Sequence, residues 1–392
     1  MSQCEISLLS ANELVRRYRD GSLSPVEVTA AVLDRIAQCE PDLNALITVC
    51  DNRARAQSEA AQAALLRGEW WGPLHGVPFT VKDLLNTREV LTTFGSHAFA
   101  DNIPQDSCVA VQRLEQAGAI LVGKTTTPEF GHKPLTEAPL FGRTRNPWDH
   151  SRTPGGSSGG AGAGVAAGYG PLAVGTDGGG SIRIPAAACG VVGMKQTLGV
   201  VPHDQTPDAF GLLAYIGPMT RTVTDAAMML EVMSGPHASD PHTLGRQPER
   251  YARVLAQRPP ELDGVRIAYC ATLGNEHVST DVMEALNEAV ELFRSAGATV
   301  VSLDTHDFPD TLPVWGPLTF SIWASRFAAH EKQLGDRMSE TLRTWMQQGR
   351  DATAVDVQDA MAFRTSLYRR VEKWFTHVDY VLTPTLSRTA LS

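Results

Sequence analysis

The sequence predicts an α/β protein whose sheet is covered by helices, and three observations carry that reading. Apolar runs of strand length alternate with helical patterns: residues 76–82 and 119–124 flank a helix near 108–117, a βαβ order that favours parallel pairing. The 392 residues suffice for one large α/β domain or for two to three ordinary ones. The composition, 43% apolar and 20% charged, is that of a folded globular chain and excludes disorder, collagen-like repeats and coiled coils.

Taken in order, Ser24-Pro25-Val26-Glu27 supplies an N-cap, a first-turn proline and a capping-box glutamate. They open a helix over 24–39 with Val28, Val32 and Ile36 on its apolar face and Pro41 as its breaker. Residues 45–49 read as a short strand, and an Ala-rich helix runs from 52 until Gly68 stops it. This gives an N-terminal helical part (1–70), followed by a Gly/Ser-rich core (71–225) and a variable α/β part (226–392). From 154 to 199 glycine, serine and alanine dominate and charges almost vanish. A flexible linker would be more polar, whereas 171–176 reads as a buried strand and 186–192 is apolar again. A helix at 224–233 leads to a second βαβ pattern with strands at 265–269 and 299–303 around a helix from about 280 to 295. Residues 315–374 are mostly helical, 380–383 form a last strand, and no internal repeat is visible.

The formal charge of −9 and the lack of any basic run give nucleic acid no electrostatic footprint. The opening residues lack a cationic region ahead of an apolar stretch, and no apolar run reaches bilayer length, so a cytoplasmic protein without a membrane partner is expected. The six cysteines show no C-x-x-C spacing, and the eleven histidines form no H-E-x-x-H. Neither a disulfide framework nor a metal site is expected.

Three readings compete for the glycine-rich centre. Gly162-Ala163-Gly164-Val165-Ala166-Ala167 fits the G-x-G-x-x-A turn of a dinucleotide site, but that turn needs an apolar strand before it, and Thr153-Pro154-Gly155-Gly156 stands there instead. Gly155-Gly156-Ser157-Ser158-Gly159 fits the G-x-S-x-G nucleophile elbow and lacks the strand for the same reason, which leaves a Ser-His-Asp hydrolase as runner-up. Asp177-Gly178-Gly179-Gly180-Ser181, by contrast, directly follows an apolar strand. Consecutive glycines there let the backbone turn tightly and aim several N–H groups at one point, as an oxyanion hole requires. Ser181 at the end of this nest is placed to attack a carbonyl, with the amides of Gly178, Gly179, Gly180 and Ser181 as donors; a Gly/Ser loop that merely packs closely explains the composition equally well. A serine nucleophile needs a base, and lysine serves when burial lowers its pKa. Of only six lysines, Lys82 and Lys124 both end strand-like runs, where α/β folds hold their sites, and the residues alone leave the two open.

These residues resemble the amidase signature hydrolases. The likeness runs from about residue 10 to the end and is densest over 72–225, in GPLHGVPFTVKD, VGKTTTPEFG, TRNPW, TPGGSSGG, GTDGGGSIRIPAA and GPMTRTV. The resemblance implies a single large α/β domain on a mixed central sheet. It implies Lys82 as base, Ser157 as the bridging serine after a cis peptide bond, Ser181 as acyl-enzyme nucleophile and Gly178, Gly179 and Gly180 in the oxyanion hole, with Ser158 in support. Ser181 would attack a carboxamide while Ser157 relays a proton to neutral Lys82, ammonia or an amine would leave, and water would release the acid without any cofactor. Asp177 and Arg183 flank the nucleophile as an ion pair holding the loop, and Glu129 and Lys124 look like scaffold.

The sequence departs from the family pattern at Ala188, Gln196 and Leu198, where an aromatic, a proline and an aromatic are commoner. Ile184 stands where the tRNA amidotransferase subunits of the family carry glutamine, which favours a stand-alone amidase acting on a small aryl or aliphatic amide, its substrate set by 202–213 and 315–338. The alternatives are the glutamine amidase subunit of such an amidotransferase and a catalytically weak member acting as a binding protein. Members of the family continue past the strand at 380–383 with further sheet strands and a closing helix. A chain ending at Ser392 is therefore expected to expose a sheet edge, to form a homodimer or aggregate, and to have little activity, as a truncated product or one piece of a larger enzyme.

Overall fold

The computed structural model of the chain describes residues 1–211, 213–247, 249–257, 261–305 and 308–392. Residues 1–257 with Ser392 form one compact unit and residues 258–391 a second. The first opens with helices α1 (Gln3–Ser7), α2 (Ala11–Asp20) and α3 (Pro25–Leu43). Ser24 caps α3 as expected: its Oγ accepts from the Glu27 N–H at 3.2 Å, and Glu27 Oε2 accepts from the Ser24 N–H at 2.9 Å. Pro41 does not break the helix. Its missing N–H falls in the last turn, where buried Leu43 anchors the chain and Asn44, left-handed at φ 51°, donates its N–H to Glu40 O.

Strand β1 (Leu46–Val49), helix α4 (Asp51–Leu66), strand β2 (Pro78–Lys82), helix α5 (Val109–Gln116) and strand β3 (Ile120–Thr125) follow close to their expected bounds. A short hairpin of β4 (Glu137–Ala138) and β5 (Gly142–Arg143) precedes helix α6 (Gly159–Ala167), strand β6 (Leu172–Asp177), helix α7 (Arg183–Cys189), strands β7 (Val192–Gly193) and β8 (Tyr215–Thr220), and helices α8 (Val223–Met233) and α9 (Tyr251–Gln257). The sheet runs β1-β3-β2-β6-β8-β7. Its centre, β3-β2-β6, is parallel, as βαβ order favours, while β1, β8 and β7 pair antiparallel, so the sheet is mixed.

Two elements here were hidden in the sequence pattern. Strand β8 contains Gly217 and Pro218, which read as punctuation, yet they pair with Gly175 and Val174. Four of the nine residues of helix α6 are glycine, each costing about 1 kcal/mol relative to alanine in a helix. Close packing requires it: a Cβ on Gly160 would lie 2.3 Å from Thr126 Oγ1 and 2.6 Å from Ala45 O. The first unit runs to residue 257: Met229 and Leu230 of α8 join the core cluster that contains Val81, Leu121 and Val174, and α9 packs on α8.

In the second unit, strand β9 (Arg266–Tyr269), helix α10 (Thr280–Ser295) and strand β10 (Thr299–Ser302) form the expected βαβ unit. Helices α11 (Leu312–Leu334), α12 (Glu340–Asp351) and α13 (Ala354–Glu372) fill the helical stretch, and strand β11 (Tyr380–Leu382) pairs parallel with β9 on the side away from β10. Helices α11 and α12 cross at Gly349, where a Cβ would lie 2.1 Å from Phe320 O, and the rings of Phe320 and Trp323 both stack on Trp345. Among the described residues no helix is long and apolar enough to cross a membrane.

Candidate active site

Parallel pairing of β2 with β6 brings Lys82, at the end of one strand, beside Thr176 and Asp177 at the end of the other. Lys82 is fully buried, its Nζ 2.7 Å from Ser157 Oγ and 2.9 Å from Thr176 Oγ1. Burial pushes its pKa well below that of an ordinary lysine, opposed by the negative charge of Asp177. Both partners are hydroxyls, which can donate as well as accept, so a neutral amine at Lys82 is fully accommodated.

The structure separates the two candidate lysines. The register places Lys124 beside Val81 and Thr125 beside Lys82, so the lysines leave the sheet on opposite faces. Lys124 Nζ donates to Leu85 O at 2.8 Å and to Thr92 Oγ1 at 2.6 Å, and it lies 3.3 Å from Asp83 Oδ1. Three acceptors, one of them a carboxylate, match the three N–H groups of an ammonium. Lys124 is thus held charged and away from Ser157. Glu129 is buried and accepts from Ser96 Oγ at 2.7 Å, consistent with a scaffold role.

Ser157 is buried, and the Gly156–Ser157 peptide bond is cis. Gly131 lies against it at φ 71°, a conformation that favours glycine, and a Cβ there would come within 3.3 Å of Ser157 Oγ and 2.5 Å of Leu84 Cδ1. Ser158 ties the two glycine-rich segments together. Its N–H donates to Ser181 O at 3.1 Å, and its Oγ donates to Thr176 O at 3.2 Å and accepts from Thr176 N–H at 3.3 Å.

Asp177 organises the loop that carries Ser181. Arg183 grips its carboxylate with Nε at 2.9 Å and Nη2 at 2.8 Å, and the amides of Gly180, Ile182 and Arg183 donate to it at 2.8, 3.1 and 3.3 Å. Burial acts to raise the pKa of Asp177, but Arg183 and these amides outweigh it and hold the carboxyl below its usual range. The Gly180 N–H is thus engaged by Asp177, whereas among the described residues no acceptor takes the amides of Gly178, Gly179 or Ser181. Ser181 is half-buried, and no hydrogen bond joins its hydroxyl to that of Ser157.

Sequence reasoning missed Thr176, although the residue that ends a strand just ahead of the nest is a natural neighbour for a lysine ending the adjacent strand. Of the departures from the family pattern, Gln196 is buried and donates to Ile216 O on β8 at 2.9 Å, and Ala188 O accepts from Asn146 Nδ2 at 2.8 Å. Position 212 of the 202–213 stretch lies outside the described residues, and 315–338 belongs to the second unit. Among the described residues no group of three or more His, Cys, Asp or Glu side chains is arranged to hold a metal ion.

Comparison with known proteins gives a consistent picture. The sequence model of the family described as Amidase matches residues 27–392. The chain is 38% identical to an acylamidase from Rhodococcus erythropolis, over 99% of its own length and 81% of that protein's. It is 41% identical to a glutamyl-tRNA(Gln) amidotransferase subunit from Thermobifida fusca, over 79% of its own length and 62% of that protein's. Among solved structures, a bacterial aryl acylamidase of the amidase signature enzymes superposes with TM-score 0.91 at 30% identity, covering 98% of this chain and 81% of that one. A 6-aminohexanoate cyclic dimer hydrolase complexed with substrate superposes with TM-score 0.86 at 27% identity, covering 98% and 80%.

Proposed function

The chain belongs to the amidase family, and we propose that it runs the family's reaction with Ser181 as nucleophile, Ser157 as proton relay and Lys82 as base. It is a hydrolase of amide C–N bonds. The observation that carries the residue assignment is the 2.7 Å contact between the buried Lys82 amine and Ser157 Oγ, beside the loop that presents Ser181. Ser181 Oγ bonds to the amide carbon as its proton passes to Ser157 Oγ and the Ser157 proton passes to Lys82 Nζ. The carbonyl electrons move onto oxygen, where the amides of Gly178, Gly179 and Ser181 receive the charge; one such donor is worth roughly 100- to 1000-fold in rate. Collapse breaks the C–N bond, the departing nitrogen takes a proton from Ser157, and Lys82 replaces it. Water then repeats the attack on the Ser181 ester and releases the acid.

The substrate in this reading is a small aryl or aliphatic amide met in the cytoplasm. Likeness to an acylamidase over 99% of the chain supports it, as do the six unpaired thiols. A serine-reactive phosphonate tests the site. Intact-mass measurement should find one adduct, carried by the Ser181 peptide, and an adduct on the Ser158 peptide overturns the assignment. Comparing a simple aryl amide with free glutamine tests the substrate, since higher kcat/KM on glutamine would favour the amidotransferase reading that the 41% identity to the Thermobifida fusca protein supports.

A further inference from the structure

Behind Lys82, on the other face of the strand, lies a buried ion pair that the reaction does not use. Asp83 follows Lys82 directly. Its carboxylate Oδ2 accepts from Thr93 N–H at 2.9 Å and Thr93 Oγ1 at 2.5 Å, while Oδ1 faces Lys124 Nζ at 3.3 Å. Lys124 also holds Leu85 O at 2.8 Å, so one ammonium grips both ends of residues 83–85. The backbone there is fixed further, with Leu85 N–H donating to Lys82 O at 3.1 Å, Asp83 N–H to Thr125 O at 3.0 Å and Phe94 N–H to Asp83 O at 3.1 Å. Lys82, Asp83, Thr92 and Lys124 are all fully buried. A cluster of this kind is costly to desolvate, and the fold keeps it directly behind the residue that reaches Ser157.

We propose that the Lys124–Asp83 ion pair is a positioning pair for Lys82: it fixes the strand end from which Lys82 extends and keeps the opposite face of that strand electrically neutral. This rests on Lys82 being the base. Two consequences follow from the geometry. Loosening the pair lets the 82–85 turn shift, and a displacement of about 1 Å at a reacting group costs on the order of 100-fold in rate. Removing one partner leaves a unit charge behind Lys82. At about 10 Å and an effective dielectric near 20, such a charge moves a lysine pKa by roughly one unit. The other ionisable groups around these residues are Asp177 with Arg183, Lys195 near that pair, Glu129 and His132 on the turn against Ser157, and Cys50 and Cys108 beside Lys124. All stay in place in the variants below.

The test is kcat and kcat/KM against pH on a simple aryl amide for Lys124→Met, Asp83→Asn and the double variant. Lys124→Met should lower kcat at least tenfold and move the midpoint of the acid limb about one unit higher, because the unpaired carboxylate favours the ammonium form of Lys82. Asp83→Asn should move it lower. The double variant should return it to the wild-type value, whatever its remaining rate. Single variants whose midpoints stay at the wild-type value, or move in the same direction, overturn the proposal. Should Lys124→Met fail to fold, Thr92→Val decides: it deletes one acceptor of Lys124 without changing charge and should lower kcat with little change in KM, and an unchanged kcat overturns the proposal. Lys82→Ala is measured alongside; activity retained there would strike the base assignment itself, a different failure.

Discussion

Thr176→Val probes the proposed base, Lys82, at its least expected contact. Valine keeps the shape of threonine and leaves in place the backbone of Thr176, whose N–H and C=O bond to Ser158 Oγ; what disappears is the hydroxyl 2.9 Å from Lys82 Nζ. A hydrogen bond to a charged group is worth about 1.5–3 kcal/mol, and one between neutral groups about 0.5–1.5 kcal/mol. The ammonium form of Lys82 therefore loses more than the amine form, by about 1–1.5 kcal/mol, which corresponds to a pKa lowered by roughly one unit. The sign is definite. Removing an acceptor penalises the protonated amine, and since the proposed reaction requires neutral Lys82, the acid limb of kcat/KM moves to lower pH. Above that limb the variant still lacks a bond that orients the amine, and about 1 kcal/mol there is a loss of roughly fivefold in rate. Initial rates on an aryl amide between pH 5 and pH 10 measure both effects. A limb that stays in place or moves upward refutes the reasoning, because Thr176 would then not be bonded to the group that titrates.

Ser181→Ala and Lys82→Ala should each lower kcat/KM by several powers of ten, whereas His132→Gln keeps measurable turnover on the same amide; a histidine variant as inactive as Ser181→Ala would restore the Ser-His-Asp reading. His132 also contributes to acid stability. Burial lowers its pKa from 6.5 to about 4, so between those values the unfolded chain binds a proton that the folded chain refuses, and stability falls as pH drops through that window. The loss is about 3 kcal/mol by pH 4, and urea unfolding should show it flattened in His132→Gln. Asp177→Asn turns an amide N–H toward the donors of Ile182 and Arg183, so the loop should loosen and kcat should fall about 100-fold with KM little changed; a KM effect alone would show that Asp177 serves binding instead.

Much of this site was legible, and what was not has identifiable causes. The nest after β6 could be read from glycines following an apolar strand, because backbone freedom is a local property. The fate of the Gly180 amide was local too. An aspartate whose side chain accepts the N–H three residues on is the capping pattern that opened α3 at Ser24, and Asp177 precedes Gly180 by that spacing. Thr176 and Lys82 stand 94 residues apart and meet only because β2 and β6 pair in parallel, a register that no local pattern contains.

The two lysines show the limit most sharply. Lys82 and Lys124 end similar apolar strands, are equally buried, and both have their pKa lowered by burial, so composition, position and desolvation do not tell them apart. The acceptors do. Three of them, including a carboxylate, hold Lys124 as an ammonium, whereas two hydroxyls leave Lys82 free to be an amine. Those partners come from segments distant in the chain, so the chemistry of each lysine is a property of the folded sheet. The fold that lowers the pKa of one lysine, leaving its amine free to take a proton in the proposed reaction, also places, at the next residue of the chain, the anion that pairs with the other.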